Sequence, residues 1–216
     1  MNVSGFTKEG QPDVDNKEGC VRPRGRGKLF VLDGASAAGK TTLALALAEV
    51  HPQVDFVPRY ATRKPRPGEP DHKEYIFIPA ADFRRMAEGD EFIEYRDYEF
   101  GMSYGIPWKE VLDVLEHGRN AVAIINLDRV QVVKERFPEA IVILIDAPLE
   151  VIEKRLQKRG TNTPEQIAER LGNARAVSRL RPYYDYILRN EGDLGEALRQ
   201  LRNIVDENLT HEPARE

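Results

Sequence analysis

The sequence predicts an α/β fold: a mostly parallel sheet flanked by helices, with a small inserted subdomain and a helical lid. Three observations predict it. Runs rich in Val, Ile, Leu and Phe alternate with helical patterns, as strands buried on both faces and their crossover helices do. The first run, Leu29-Phe30-Val31-Leu32, leads directly into the glycine-rich Gly34-Ala35-Ser36-Ala37-Ala38-Gly39-Lys40-Thr41 and then into the helix-forming Thr42–Glu49. The stretch 59–105 breaks this rhythm with prolines and short alternating runs.

Taken in order, residues 1–27 are rich in Gly, Asp, Asn, Lys and Pro without apolar periodicity, and read as a disordered tail. Core strands are expected at 28–33, 54–58, 121–126, 140–145 and 185–189. Helices are expected at 40–50, 107–117, 128–137, 149–159, 164–179 and 193–208. Pro52 closes the first of these. Thr163-Pro164-Glu165-Gln166 is a capping box with proline at the first helical position, so that start is well marked. Within 59–105, Glu74–Ile78 and Glu91–Tyr95 alternate like half-exposed strands, and the segment reads as an insert suited to an acceptor substrate. The folded part is expected to span 28–209, with a lid at about 155–180 and a second tail at 210–216.

Composition narrows the function. With 41% hydrophobic and 31% charged residues over 216 positions, the chain reads as one soluble domain with a substantial core. No apolar run approaches the roughly 20 residues of a membrane span, and no secretory signal precedes the first strand. The single Cys20 permits no intrachain disulfide and fits a reducing, cytoplasmic setting. A net charge of −4 argues against nucleic acid and membrane surfaces as partners. The four histidines show neither metal-ligand spacing nor triad partners. A small anion held by local positive charge is the expected ligand, with the chain a monomer or homodimer.

The glycine-rich run fits G-x-x-x-x-G-K-[ST], and strand, loop and helix supply the context that makes it a phosphate cradle. Backbone N–H groups of residues 34–42 and the helix N-terminus would face the phosphates of ATP. Lys40 would reach the β- and γ-phosphates, and Thr41 would offer its hydroxyl to Mg²⁺. A second cationic cluster is Arg59, Arg63, Lys64 and Arg66, held extended by Pro65 and Pro67. Arginine forks suit phosphate oxygens, so this is a second phosphate site, to which Tyr75 and Tyr104 can add hydroxyls. A third group comprises Lys154, Arg155, Lys158 and Arg159, then Gly160 to Thr163, then Arg170, Arg175, Arg179 and Arg181. Helix-spaced arginines around a Gly/Thr/Asn loop suit a lid that closes over phosphates and excludes water.

Over residues 28–206 the chain resembles the guanylate kinase family of P-loop nucleoside monophosphate kinases. The motifs carrying the resemblance are the P-loop, Thr62-Arg63-Lys64-Pro65-Arg66-Pro67-Gly68-Glu69, Tyr75-Ile76-Phe77 and Glu91-Phe92-Ile93-Glu94. Tyr104-Gly105, Phe137-Pro138, Lys158-Arg159-Gly160-Thr161 and Asn190-Glu191 complete the set. The resemblance implies an ATP-dependent phosphoryl transfer with Mg²⁺, Lys40 and Thr41 serving the donor phosphates. It implies Arg63, Arg66, Tyr75 and Tyr104 as acceptor-phosphate ligands, Glu94 on the guanine edge, Arg155, Arg159 and Arg170 as lid arginines, and Asn190 near adenine.

Three positions depart from the family pattern. Arg59 stands where a small hydroxyl residue reads guanine, and Ile106 stands where a second one follows the Tyr-Gly pair. Ile124-Ile125-Asn126 aligns with an Asp-x-Asp on the third core strand, leaving Asp128 or Asp33 to compensate for magnesium. Arg59-Tyr60-x-Thr62-Arg63, Tyr104-Gly105-Ile106-Pro107 and Asn126 resemble the ribose 1,5-bisphosphate phosphokinases, which share the fold and phosphorylate a sugar phosphate. Three readings stand at this point: a GMP or dGMP kinase, a kinase of a phosphorylated sugar or modified nucleotide, and a non-catalytic module of the same fold. The intact Lys40 and Thr41 favour catalysis.

Overall fold

β1 (Leu29–Asp33) is buried along its whole length because its two faces serve two cores. Phe30 and Leu32 pack on one side of the main sheet, Leu29 and Val31 on the other. The computed structural model describes residues 27–65, 73–98, 101–125, 129–160, 162–176 and 181–210. After β1 come α1 (Lys40–Val50), β2 (Val54–Phe56), β3 (Arg59–Ala61), β4 (Tyr75–Phe77), α2 (Ala80–Glu88), β5 (Phe92–Tyr98) and β6 (Met102–Pro107). The chain continues through α3 (Trp108–Glu116), β7 (Asn120–Ile124), α4 (Val130–Arg136), β8 (Ile141–Asp146), α5 (Leu149–Arg159), α6 (Pro164–Ala176), β9 (Tyr186–Arg189) and α7 (Leu194–Thr210).

The main sheet runs β2-β7-β1-β8-β9, and its four pairings are parallel. Residues of α1, α5 and α7 cover one face; those of α3 and α4 cover the other. A second sheet, β4-β3-β6-β5, is built from the stretch expected as an insert, with β6 running two residues past 105, and mixes parallel and antiparallel pairs. The α/β reading from the sequence is thus the observed one, and the expected start and end of the first helix are those seen. The capping box is formed: Thr163 N–H donates to Gln166 Oε1 at 3.0 Å, and Gln166 N–H to Thr163 Oγ1 at 3.3 Å. Residues 1–26 and 211–216 of the expected tails 1–27 and 210–216, the end of the fifth expected helix (177–179), Arg66, Asn126 and Asp128 lie outside the described residues, while Thr210 closes α7.

Three elements of the insert escape the sequence reading. β3 carries Arg59 and Tyr60 and forms only because β4 and β6 flank it, while β6 pairs with β3 and β5. α2 buries Phe83 and Met86, spaced i, i+3, against Phe92 in a small core of its own. The expected alternation over 91–95 also fails. Phe92, Ile93 and Glu94 are buried in succession because the register shifts between Phe92 and Glu94. That bulge sends Phe92 into the insert's core and Ile93 into the main one. The insert is therefore fastened to the main body by a residue of its own strand. Among the described residues, no helix is long and apolar enough to cross a membrane.

Candidate functional site

The glycine-rich loop leaves β1 through backbone that only glycine tolerates. Gly34 has φ of 143°, and a Cβ there would lie 2.4 Å from the Ile145 carbonyl oxygen of β8. Gly39, at φ of 104°, caps α1, and a Cβ there would meet Asn190 Nδ2 at 2.4 Å. Ala37 also takes a positive φ, 66°. Lys40 curls back over this loop and donates from Nζ to the carbonyls of Gly34 (2.6 Å) and Ala35 (3.0 Å). Burial lowers its pKa to about 8; Arg59 and Arg159 push the same way, while Asp33 and Glu74 oppose them. Phosphate oxygens would replace those carbonyls and favour the charged form of Lys40.

Asp33, at the end of β1, is 0% exposed. Its Oδ1 accepts from the Gly34 N–H at 2.6 Å and its Oδ2 from the Tyr184 hydroxyl at 2.6 Å. The carboxylate thus anchors the first glycine of the loop. Both oxygens of the carboxylate considered from the sequence for magnesium take part in hydrogen bonds within the protein.

Two of the arginines expected in a lid, Arg155 and Arg170, reach the same loop. Arg155, on α5, donates from Nη1 to Ala37 O (3.1 Å) and Ala38 O (3.0 Å), and from Nη2 to Asn190 Oδ1 (3.2 Å). Burial, with Arg159 beside it, lowers its pKa. Asn190, just beyond β9, donates from Nδ2 to Ala38 O at 2.7 Å. Arg170, on α6, donates from Nη1 to Ser36 Oγ at 2.6 Å. Ala37, Gly39, Thr42, Arg155, Arg159 and Asn190 border a cavity of about 410 Å³ that opens beside the loop. A larger hollow of about 590 Å³, between α2 and β5–β6, shares no residue with the loop.

The second cationic cluster forms on the inserted sheet. Arg59 is 9% exposed and donates from Nη2 to the Tyr75 hydroxyl at 2.7 Å, its guanidinium 5.1 Å from the Tyr75 ring and 5.9 Å from that of Tyr104. Arg63 donates from Nε to the Tyr104 hydroxyl at 3.1 Å and stacks over Tyr75 at 4.8 Å. The two tyrosine rings lie 5.7 Å apart. Two guanidiniums and two phenols therefore share one corner, the composition of a phosphate clamp. Burial raises the pKa of Tyr75, which keeps its hydroxyl a donor. Glu94 on β5 is 1% exposed, and Ile106 opposes it on β6.

Donor and acceptor clusters meet at two points. Arg59 acts electrostatically on Lys40, and the Thr41 hydroxyl donates to Glu74 Oε1 at 3.0 Å. The sequence reading missed Glu74 and Tyr184. Glu74 carries a faint signal in its adjacency to Tyr75; Tyr184 carries none.

The comparisons with known proteins agree with this arrangement. The family model described as guanylate kinase matches residues 26–208. The guanylate kinase of Dechloromonas aromatica is 39% identical over 180 residues, covering 83% of this chain and 88% of its own. That of Maricaulis maris is 38% identical over 186 residues, covering 85% and 84%. Among solved structures, the guanylate kinase of Anaplasma phagocytophilum superposes with a TM-score of 0.68 at 25% identity, covering 86% of this chain and 88% of that one. A glycine-rich cradle, arginines folded over it and an inserted sheet bearing a second cationic corner, matched over this length, leave one assignment: the chain belongs to the guanylate kinase family of P-loop nucleotide kinases.

Proposed function

We propose that this enzyme transfers the γ-phosphoryl group of ATP to the phosphate of GMP or dGMP, giving GDP or dGDP. The observation that carries the reading is the proximity of two cationic clusters, the Lys40 cradle and the Arg59–Arg63–Tyr75–Tyr104 corner, joined by the charge of Arg59 on Lys40 and by the Thr41–Glu74 hydrogen bond. In this reading residues 34–42 and Asn190 take ATP, and Arg63, Arg66, Tyr75 and Tyr104 hold the acceptor phosphate in line. Glu94 pairs with the guanine edge, with Arg59 and Asn126 beside the acceptor. Lys40, Arg155, Arg159 and Arg170 stabilise charge spread over the transferring group. An acceptor phosphate is already largely ionised near neutrality, so no general base is required. Closure of lid and insert excludes water as a competing acceptor.

Magnesium fits the oxygen donor that Thr41 presents, and bound there with ATP it would neutralise β- and γ-phosphate charge. Among the described residues there is no group of three or more His, Cys, Asp or Glu that could hold a metal ion. The same reading has the enzyme working in the cytoplasm on small molecules, as monomer or homodimer, without nucleic acid or membrane partners.

A second reading has Arg59 in its favour. Its guanidinium joins the phosphate corner, where it suits an acceptor bearing a second phosphate in place of a base, such as ribose 1,5-bisphosphate. ADP release from Mg-ATP with GMP, dGMP, AMP, CMP, UMP and ribose 1,5-bisphosphate separates the two. Turnover is expected with GMP and dGMP; turnover with the sugar bisphosphate alone overturns the nucleotide reading in favour of the second.

A further inference from the structure

Glu74 immediately precedes Tyr75 in the inserted sheet, yet its carboxylate reaches the main body. Its Oε1 accepts the Thr41 hydroxyl, 33 residues away in sequence and in the first turn of α1. Its own backbone carbonyl accepts the Arg59 N–H at 3.2 Å, so the ladder that sets Tyr75 opposite Arg59 also fixes where Glu74 stands. Its charge acts on Lys40 as well. A carboxylate thus lies against the Thr41 hydroxyl, the one expected to serve a metal.

Asp128 lies outside the described residues, and two other positions considered for magnesium are otherwise used. Ile124 and Ile125, at the end of β7, are apolar and buried. Asp33 spends both oxygens on Gly34 and Tyr184. Magnesium bound with a nucleoside triphosphate needs one or two carboxylates besides the phosphates, held directly or through its waters.

We propose that Glu74 is the carboxylate that positions magnesium beside Thr41, so that the metal of the donor nucleotide is held in part by the acceptor-binding sheet. The proposal rests on the ATP-binding reading above. Without nucleotide, the Thr41–Glu74 hydrogen bond keeps both oxygen ligands together. With nucleotide bound, the Thr41 lone pairs turn to the ion and Glu74 supplies the anionic ligand or accepts from a water on it. Because Glu74 and Tyr75 are consecutive, metal loading and the acceptor clamp share one strand.

The test is Mn²⁺ binding to the protein saturated with ADP, with free Mn²⁺ followed by electron paramagnetic resonance. Glu74→Gln is expected to weaken Mn²⁺ binding about tenfold or more, while ADP affinity measured in EDTA stays at the wild-type value and reports an intact cradle. Glu74→Ala, which leaves no amide against Thr41, is expected to give the same loss. Mn²⁺ affinity within about twofold of wild type in both variants overturns the proposal, as does a defect confined to a higher KM for GMP. A wild-type protein that binds no ADP overturns the donor reading beneath it, and the proposal with it.

Discussion

Lys40 is the residue at which charge, burial and chemistry meet. In the ligand-free protein its pKa is lowered to about 8, chiefly by burial. A phosphate-bound lysine titrates higher, so between about pH 8 and the bound value nucleotide binding must draw in a proton. Calorimetry of ADP binding at pH 8.5 in buffers of different ionisation enthalpy is expected to show this uptake, and Lys40→Ala to remove it. The same variant is expected to turn over at below about 1% of wild type, the scale of losing one preorganised charge in a phosphoryl-transfer site. Arg63 makes a different kind of contribution. Stacked on Tyr75 and bonded to Tyr104, it belongs to the corner proposed for the acceptor. Arg63→Ala is expected to raise the acceptor KM about tenfold and lower kcat, with the KM for ATP within about twofold of wild type, since one charge-assisted phosphate contact is worth about 1.5–3 kcal/mol. An unchanged acceptor dependence in steady-state kinetics would remove Arg63 from the site.

Among the elements, the junction of β1 with α1 shows how a strand end becomes a functional loop. Local sequence is enough to place it: apolar run, glycines, lysine, helix formers. The anchor is not local. Asp33 holds the Gly34 N–H and is itself held by Tyr184, 151 residues away. Tyr184→Phe keeps the ring and removes one donor from a buried carboxylate, so a loss of about 2 kcal/mol is expected, read as a lower urea midpoint at unchanged m. Its ADP affinity should fall too, because the first turn of the loop loses its brace. The insert teaches the complementary lesson. β3 holds only three residues, two of them polar or charged in type, and becomes a strand by lying between β4 and β6. Propensity over so short a segment carries little information, and partners supply the rest. α2 was legible in principle, from Phe83 and Met86 behind Pro79, but its nine residues bury too little to stand out from a loop.

For the whole molecule, the proposed site lies between the parallel main sheet and two attachments, the inserted sheet and the α5–α6 arm. The arm already touches the cradle through Arg155 and Arg170, and the insert touches it through Glu74. These polar contacts lie beside the loop, while apolar seams at Ile152 and Leu156 of α5 and at Ile93 and Ile106 of the insert hold both attachments to the main body. Polar contacts of this kind exchange readily for phosphate oxygens, which makes hinge-type closure inexpensive. Small-angle scattering is expected to show the radius of gyration falling most when the nucleotide and acceptor sites are both filled, with GMP and ADP or a non-hydrolysable ATP analogue. A radius independent of ligands would argue for a preformed site.

The amino-acid sequence by itself determined the α/β class, the order of the main-sheet strands along the chain, the phosphate cradle and the family. Each follows from local patterns: period, glycine spacing, a capping box, a motif in its strand–helix context. Only the tertiary structure decided that Arg59 turns its guanidinium to the tyrosine corner, that Asp33 braces the loop, and that Glu74 meets Thr41. It also decided that Phe92, Ile93 and Glu94 are buried in a row. The physical reason is range: these are contacts between residues tens to more than a hundred positions apart, or a bulge chosen by a partner strand. No periodicity within one segment encodes them.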